Sequence, residues 1–248
     1  MRDHHDGRAI GRVLGLWRYP VKSMAGEPLL EGEAAWHGFA GDRRWAFIRE
    51  GAIRSGFPWL TLRERADLSH YSPSFVDPAS PDQSPVIVRT PSGASYDVME
   101  PALAAELYPQ GARVIKQNRG VFDTFPLSLI TTQSIAALGE LVGARLEVQR
   151  FRPNILVEAA APAPFVEDGW VGLVLRMGTL VLRVDKRDGR CAVITIDPQT
   201  AERNPAILRA LARNRDGCLG VYGSTVQPGR VAVGDAIYIE CEARAPRA

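Results

Sequence analysis

The sequence predicts a mainly β protein with a few helices, arranged in two parts. Most apolar segments are short, β-branched and bounded by Gly, Pro, Asp or Asn, the pattern of strands that end in turns. The few stretches with helical periodicity interrupt strands without alternating with them, which argues against a doubly wound parallel sheet. From about residue 76 to 100 the chain is rich in Pro, Ser and Asp around a single strand. That suits the rim of one barrel before a second unit begins near residue 120.

In chain order the expected strands are "RVLGLWRYPV" from Arg12, "RRWAFIRE" from Arg43, "PVIVRT" from Pro85, "RLEVQRF" from Arg145, "NILVE" from Asn154, "LVLRMGTLVLRV" from Leu173, "CAVITI" from Cys191 and "RVAVGDAIYIE" from Arg230. Apolar alternation on both sides of Met177-Gly178 predicts a hairpin, and Gly234-Asp235 marks a turn. "EPALAAELYP" from Glu100 reads as a short helix. "TLRERADL" carries a Thr61/Glu64 capping-box pattern and is equally compatible with a strand. "TTQSIAALGELVG" opens on capping-type threonines, places Ile135, Leu138, Leu141 and Val142 on one face and stops at Gly143. "NPAILRALARNRDG" has Asn204 as N-cap, Pro205 at the first helical position, arginines near its end and Gly217 beyond.

Bulk properties exclude several classes. At 248 residues and 46% apolar composition the chain can bury a substantial core, so disorder and fibres are excluded. A formal charge of +2 provides no field for nucleic acid and points to a small partner. Three widely spaced cysteines contain no CxxC and leave one unpaired under any disulfide scheme, which favours a reducing compartment and argues against an iron–sulfur cluster. "MRDHHDGRAI" has no apolar signal region, and no run of about 18 apolar residues occurs, so a cytoplasmic protein with no membrane association is expected. No GxGxxG or GxxxxGK[ST] is present to carry a nucleotide phosphate, and no repeat of solenoid length occurs.

"KRDGRCAVITIDPQT" from Lys186 sets a thiol between a basic turn and an apolar run. Packing and chemistry both remain open for Cys191 on these residues alone. "YPVKS" (Tyr19 to Ser23), "GDRRW" (Gly41 to Trp45), "FRPN" (Phe151 to Asn154), "RCAVITIDPQT" (Arg190 to Thr200) and "PGRVAVGD" (Pro228 to Asp235) together resemble the MOSC family. The order is that of proteins pairing an N-terminal β-barrel with a MOSC domain, typified by the mitochondrial amidoxime reducing component and its bacterial relatives. Each motif alone is weak; five in the same order, over about residues 10 to 241, are specific.

The resemblance implies a two-part β-barrel architecture, with a MOSC N-terminal β-barrel domain at residues 10–120 and a MOSC domain at 121–241. It also implies a molybdenum cofactor (Mo-molybdopterin) held in a cleft between them, the metal bound by Cys191. Thiolate is a soft donor suited to such a site, and Lys186, Arg187 and Arg190 stand near it in sequence. An anionic pterin phosphate needs several cationic and hydrogen-bonding donors. Lys22, Ser23, Arg43, Arg152 and Asn154 match the family's cofactor-binding positions, and Arg190 is a further candidate. Thr131, Thr132 and Ser134 match a stretch that contacts the cofactor at a helix N-terminus, although capping alone also explains threonines there. Asp197 matches a DP turn and is a candidate to orient an active-site proton, a plain turn being the alternative.

Three departures bear on turn geometry and the substrate rim: Ala201 where a glycine is usual, Met24 after the Lys-Ser pair, and a loop before Cys191 one residue longer than in the mitochondrial enzymes. His4 and His5 lack further ligands and read as tail, and Cys218 and Cys241 match no functional position. Trp17, Trp36, Trp45, Trp59 and Trp170 read as packing residues, with Trp59 and Arg63 in a segment that could border the cleft. The implied activity is a molybdenum-dependent reductase of small N-hydroxylated substrates such as amidoximes and hydroxylamines. Electrons would come from a separate donor of flavoprotein, ferredoxin or cytochrome type. The alternative is a cofactor carrier or sulfur-transfer protein.

Overall fold

The computed structural model describes residues 7–52 and 54–240; His4, His5 and Cys241 lie outside them. The N-terminal part contains β1 (Gly11–Arg18), β2 (Glu27–Leu29), β3 (Glu31–Ala35), β4 (Gly38–Phe39), β5 (Trp45–Arg49), β6 (Ser72–Phe75), β7 (Val86–Arg89), β8 (Ser95–Asp97), α1 (Pro101–Leu107) and β9 (Ala112–Lys116). The C-terminal part contains β10 (Leu127–Thr131), α2 (Thr132–Val142), β11 (Ile155–Ala159), β12 (Val174–Met177), β13 (Leu180–Gly189), α3 (Pro205–Arg215), β14 (Cys218–Gln227), β15 (Gly229–Ala232) and β16 (Ala236–Glu240).

Strands β11, β10, β14, β13, β12, β16 and β1 pair in that order, and β1 also pairs with β11, which closes a seven-stranded barrel. Alternation fills it: Leu180, Leu182 and Val184 of β13 point inward among Val13, Leu129, Val157, Leu175 and Val221. The two parts exchange strands, because β1 completes the C-terminal barrel while β15 pairs with β3. The β5–β9 pair and the β6–β7–β8 sheet surround a second core containing Val21, Phe47, Leu60, Tyr71 and Val88, whereas Ala34 of β3 and Phe39 of β4 pack into the barrel core. Helices α2 and α3 cover the barrel through Ile135, Leu138, Ile207 and Leu211. Among the described residues, no helix is long and apolar enough to cross a membrane.

The β12–β13 hairpin turns at Gly178, where φ is +56° and an added Cβ would lie 2.4 Å from the Arg230 carbonyl oxygen. Several local expectations are corrected. "CAVITI" is not a strand: pairing ends at Gly189, and Ala192–Thr195 form a 3₁₀ turn. Its Ile194 and Ile196 are buried in two different cores, which an extended segment lying in one sheet would not achieve. "RLEVQRF" likewise ends in a 3₁₀ turn, Val148–Phe151, that buries Phe151 under the helices. "TLRERADL" is a capped turn followed by a 3₁₀ turn at Ala66–His70. The stretch around residues 76 to 100 holds two strands, β7 and β8, not one. Trp36 and Leu141 are exposed, since Trp36 follows β3 at a hairpin tip and Leu141 falls off the apolar stripe of α2.

Candidate functional site

A cavity of about 330 Å³ draws its wall from both parts of the molecule. The segments Tyr19–Ser23 and Gly41–Trp45 run side by side, with Lys22 N donating to the Trp45 carbonyl (2.8 Å) and Arg43 N to the Tyr19 carbonyl (2.6 Å). The Tyr19 hydroxyl donates to the Pro153 carbonyl at 3.0 Å and Trp17 N to the Asn154 carbonyl at 2.9 Å, which brings Phe151–Asn154 against both. Lys22, Ser23, Arg43, Arg152, Asn154, Arg190 and Cys191 therefore line one cavity despite their spread through the sequence. Ser23, Arg43 and Arg152 have φ of 69°, 50° and 52°, a left-handed backbone that costs non-glycine residues energy and is retained where surrounding structure imposes it.

The guanidinium groups of Arg43 and Arg152 both lie over the Tyr19 ring, 4.5 and 4.3 Å from its centroid. Arg43 pairs with the buried Asp42 and donates to Asn154 Oδ1 (3.3 Å) and the Arg152 carbonyl (3.2 Å). Arg152 donates to the Met24 carbonyl at 2.7 Å, but among the described residues no carboxylate pairs with it, and its buried Nη2 has no acceptor. Burial, reinforced by the neighbouring Arg43 charge, pulls Arg152 down to about 10. Burial also lowers Lys22, partly offset by Asp123, and pushes the Tyr19 hydroxyl up to about 12. A cluster of buried cations with an unfilled donor is stabilised by an anion, which supplies the missing acceptor and charge.

Cys191 is half-buried immediately after β13 and caps the 3₁₀ turn, so it follows a strand and does not begin one. Of the basic residues near it in sequence, only Arg190 lines the cavity. Arg187 pairs with Asp168 and Asp216, and Lys186 lies over the Phe125 ring. Arg190 donates to the carbonyls of Leu219 and Phe151, both at 2.8 Å, and its Nη2 is 2.9 Å from Asp188 Oδ2, an ion pair too poorly aligned for a hydrogen bond. Burial raises the Asp188 carboxyl above its ordinary value against the pull of Arg190, and burial also raises the hydroxyl of Tyr222 beside it.

Four expected site residues do not line the cavity. Thr131 and Ser134 are fully buried, and their hydroxyls donate to Glu167 Oε2 at 2.9 and 2.8 Å. This buried carboxylate occupies the N-terminus of α2 where an external anion would have to sit. Thr132 borders a separate groove beside the same helix. Asp197 accepts from the backbone N–H of Gln199 (2.9 Å) and Thr200 (3.0 Å) and pairs with Arg150 at 2.8 Å. It closes a turn and holds Arg150, which does line the cavity. Trp59 bridges to Ile48, away from the cavity, while Arg63 lines it.

Asp42, Asp188 and Tyr222 were not singled out from sequence. Asp42 had a readable signal, standing beside Arg43 in "GDRRW"; Asp188 and Tyr222 had none.

Residues 10–117 match the MOSC N-terminal beta barrel domain and residues 116–238 the MOSC domain. The human mitochondrial amidoxime-reducing component 1 is 22% identical over 294 residues, covering 93% of this chain and 83% of that protein. The Danio rerio molybdenum cofactor sulfurase is 40% identical over 137 residues, covering 46% of this chain and 16% of that protein. The Drosophila grimshawi sulfurase is 26% identical over 275 residues, covering 92% of this chain, which spans 34% of its length. The YuaD protein from Bacillus subtilis superposes with a TM-score of 0.51 at 13% identity, covering 92% of this chain and 94% of that one, a likeness of fold. With its two domain models spanning residues 10–238 in tandem, the chain belongs to the MOSC family.

Proposed function

We infer that the cavity binds a molybdenum cofactor and that the protein reduces N-hydroxylated compounds, amidoximes or hydroxylamines, with electrons from a separate flavoprotein, ferredoxin or cytochrome. The observation that carries this reading is the buried Arg152 Nη2 without an acceptor, set among Lys22, Arg43 and Arg190 in the cavity that Cys191 also lines. The donor set suits an anionic, sulfur-rich ligand: guanidinium forks and an ammonium for phosphate, and one soft thiolate for a metal. Among the described residues no cluster of three or more His, Cys, Asp or Glu could hold a metal alone, so Cys191 would be the single protein ligand.

Lys22, Ser23, Arg43, Arg152 and Arg190 would hold the cofactor's anionic groups. When bound, such a cofactor supplies two-electron oxygen-atom transfer. The chain's own residues hold the ligand and limit water: Asn154 keeps Arg43 in place, and Phe57, Phe122 and Phe125 wall the cavity with apolar surface.

The test is molybdenum by mass spectrometry and pterin by its fluorescent oxidation product, on wild type, Cys191→Ala and Cys218→Ser from a cofactor-producing host. About one molybdenum per chain, lost in Cys191→Ala and retained in Cys218→Ser, is expected, with benzamidoxime turnover driven by an artificial reductant following the same pattern. Equal metal and equal turnover in both variants would remove Cys191 from the site. Cofactor retention without any turnover would make the protein a carrier.

A further inference from the structure

The cations lining the cavity divide by their partners. Lys22 faces Asp123, Arg43 faces Asp42, Arg150 faces Asp197 and Arg190 faces Asp188. Among the described residues Arg152 pairs with no carboxylate, and Arg63 has only a long, shared pairing with the Asp123 that Lys22 holds. Arg152 is buried, and Arg63 sits on the N-terminal side with about a third of its side chain exposed, 36%. The Asp123 carboxylate nearest to Arg63 is 3.9 Å away and already bonded to Lys22. Among the described residues no acceptor takes a hydrogen bond from the Arg63 guanidinium, which stacks over the Phe57 ring at 4.5 Å.

The backbone that presents Arg63 is held on both sides. Thr61 donates from N and Oγ1 to Glu64 Oε2 at 2.9 and 2.6 Å, and Arg63 N donates to Thr61 Oγ1 at 3.2 Å. From the C-terminal part, Arg203 Nη2 donates to the carbonyls of Leu62 (3.1 Å) and Arg63 (3.0 Å). With its backbone held and its guanidinium resting on Phe57, Arg63 has less freedom to lose on binding than an arginine on a mobile loop. A resident anion is held by buried donors such as Arg152; a ligand that must enter and leave each cycle requires a donor it can reach from water, and Arg63 is that donor.

Resting on the reading above, the geometry points to a substrate that carries its own carboxylate: an N-hydroxylated compound whose anionic group is received by Arg63 at the mouth of the cavity while Phe57 supports its flat apolar body. Arg63 is thus a specificity determinant and lies outside the cofactor's seat.

The experiment compares kcat/KM for benzamidoxime, 4-carboxybenzamidoxime and 4-(aminomethyl)benzamidoxime on the cofactor-loaded full chain, as wild type, Arg63→Ala, Arg63→Lys and Arg63→Glu. A partly exposed charge pair is expected to favour the carboxylated substrate by about tenfold, mainly through KM and less at high salt. That ratio falls to about one in Arg63→Ala, is partly kept in Arg63→Lys and turns toward the aminomethyl compound in Arg63→Glu. Calorimetric binding of 4-carbamoylbenzoate against benzamide reads the same preference without turnover. If no amidoxime is reduced but carbamoylbenzoate binds in an Arg63-dependent way, the reductase reading fails and the subsite stands. Equal use and equal binding of charged and neutral compounds overturn the subsite, as does loss of molybdenum from folded Arg63→Ala, which would return Arg63 to the cofactor.

Discussion

The Asn154 side-chain amide donates to the Asp42 carboxylate at 3.1 Å, joining residues 112 apart in sequence behind the cavity wall. Its other N–H goes to the Trp17 carbonyl at 3.2 Å, and its oxygen accepts from Ser128 N (3.2 Å) and Arg43. Both donors are spent inward, so Asn154 lines the cavity while holding Arg43 in position. Asn154→Ala is expected to cost about 2 kcal/mol, because the fully buried Asp42 keeps Tyr19 N and Arg43 but loses its third donor and the Asn154 contacts to Trp17 and Ser128 go with it, and Asn154→Asp about 3 kcal/mol or more by placing a second buried charge against Asp42. Urea unfolding measures both, and an unchanged midpoint in Asn154→Asp would refute the clasp.

Glu167 does for α2 what an external anion would otherwise do. Its carboxylate is fully buried and accepts from the Thr131 and Ser134 hydroxyls. Glu167→Ala leaves both without that acceptor and removes negative charge from a helix N-terminus, an expected loss of about 2–3 kcal/mol. Thr132→Ala, at the edge of a different groove, is expected to keep its molybdenum; depletion in folded Thr132→Ala would put this helix back at the cofactor site.

The motifs were legible because each is contiguous: "YPVKS", "GDRRW" and "FRPN" could be read in order, and the backbone bonds among them bring Lys22, Arg43 and Arg152 to one wall. What packs each motif was not legible. Ile194 and Ile196 alternate like strand residues but serve two cores, and a short apolar run has no period to tell a strand from a buried turn. The threonines of "TTQS" carry the same capping pattern whether the anion at the helix N-terminus is a ligand or Glu167, which lies 36 residues beyond Thr131 in sequence. The left-handed backbones at Ser23, Arg43 and Arg152 left no trace, because no glycine marks them.

Ala201 is where such strain reaches the surface of the fold. Its φ is 60°, and its N–H donates to the Asp197 carbonyl at 3.0 Å, closing the turn that follows the Cys191 segment. A glycine adopts this conformation without a Cβ penalty, although it also gains freedom in the unfolded chain. Ala201→Gly is expected to stabilise the protein by about 0.5–1 kcal/mol, raising Tm by about 1–3 °C. Calorimetry checks this, and a lower Tm would show that the turn is not strained by its side chain.

The last prediction separates a structural from a catalytic Asp197. Burial works against its charge, but the Gln199 and Thr200 N–H groups and the Arg150 guanidinium outweigh it and hold the carboxyl below its ordinary value. The folded state therefore binds the Asp197 proton more weakly than the unfolded state does. Its contribution to stability is complete above the ordinary carboxylate pKa of about 4 and is lost as pH falls through the lower folded value. Allowing for water around a partly exposed carboxylate, Asp197→Asn is expected to be about 0.5–1 kcal/mol less stable near neutrality, a gap that closes on acidification below about pH 4. Thermal unfolding of both proteins from about pH 7 to 3 measures the gap, and one that persists at the acid end would refute the linkage. A carboxylate held ionised in this way is a poor proton donor at neutral pH, so the acid limb of the amidoxime pH–rate profile is expected at the same position in Asp197→Asn. A displaced limb would place Asp197 in the chemistry after all.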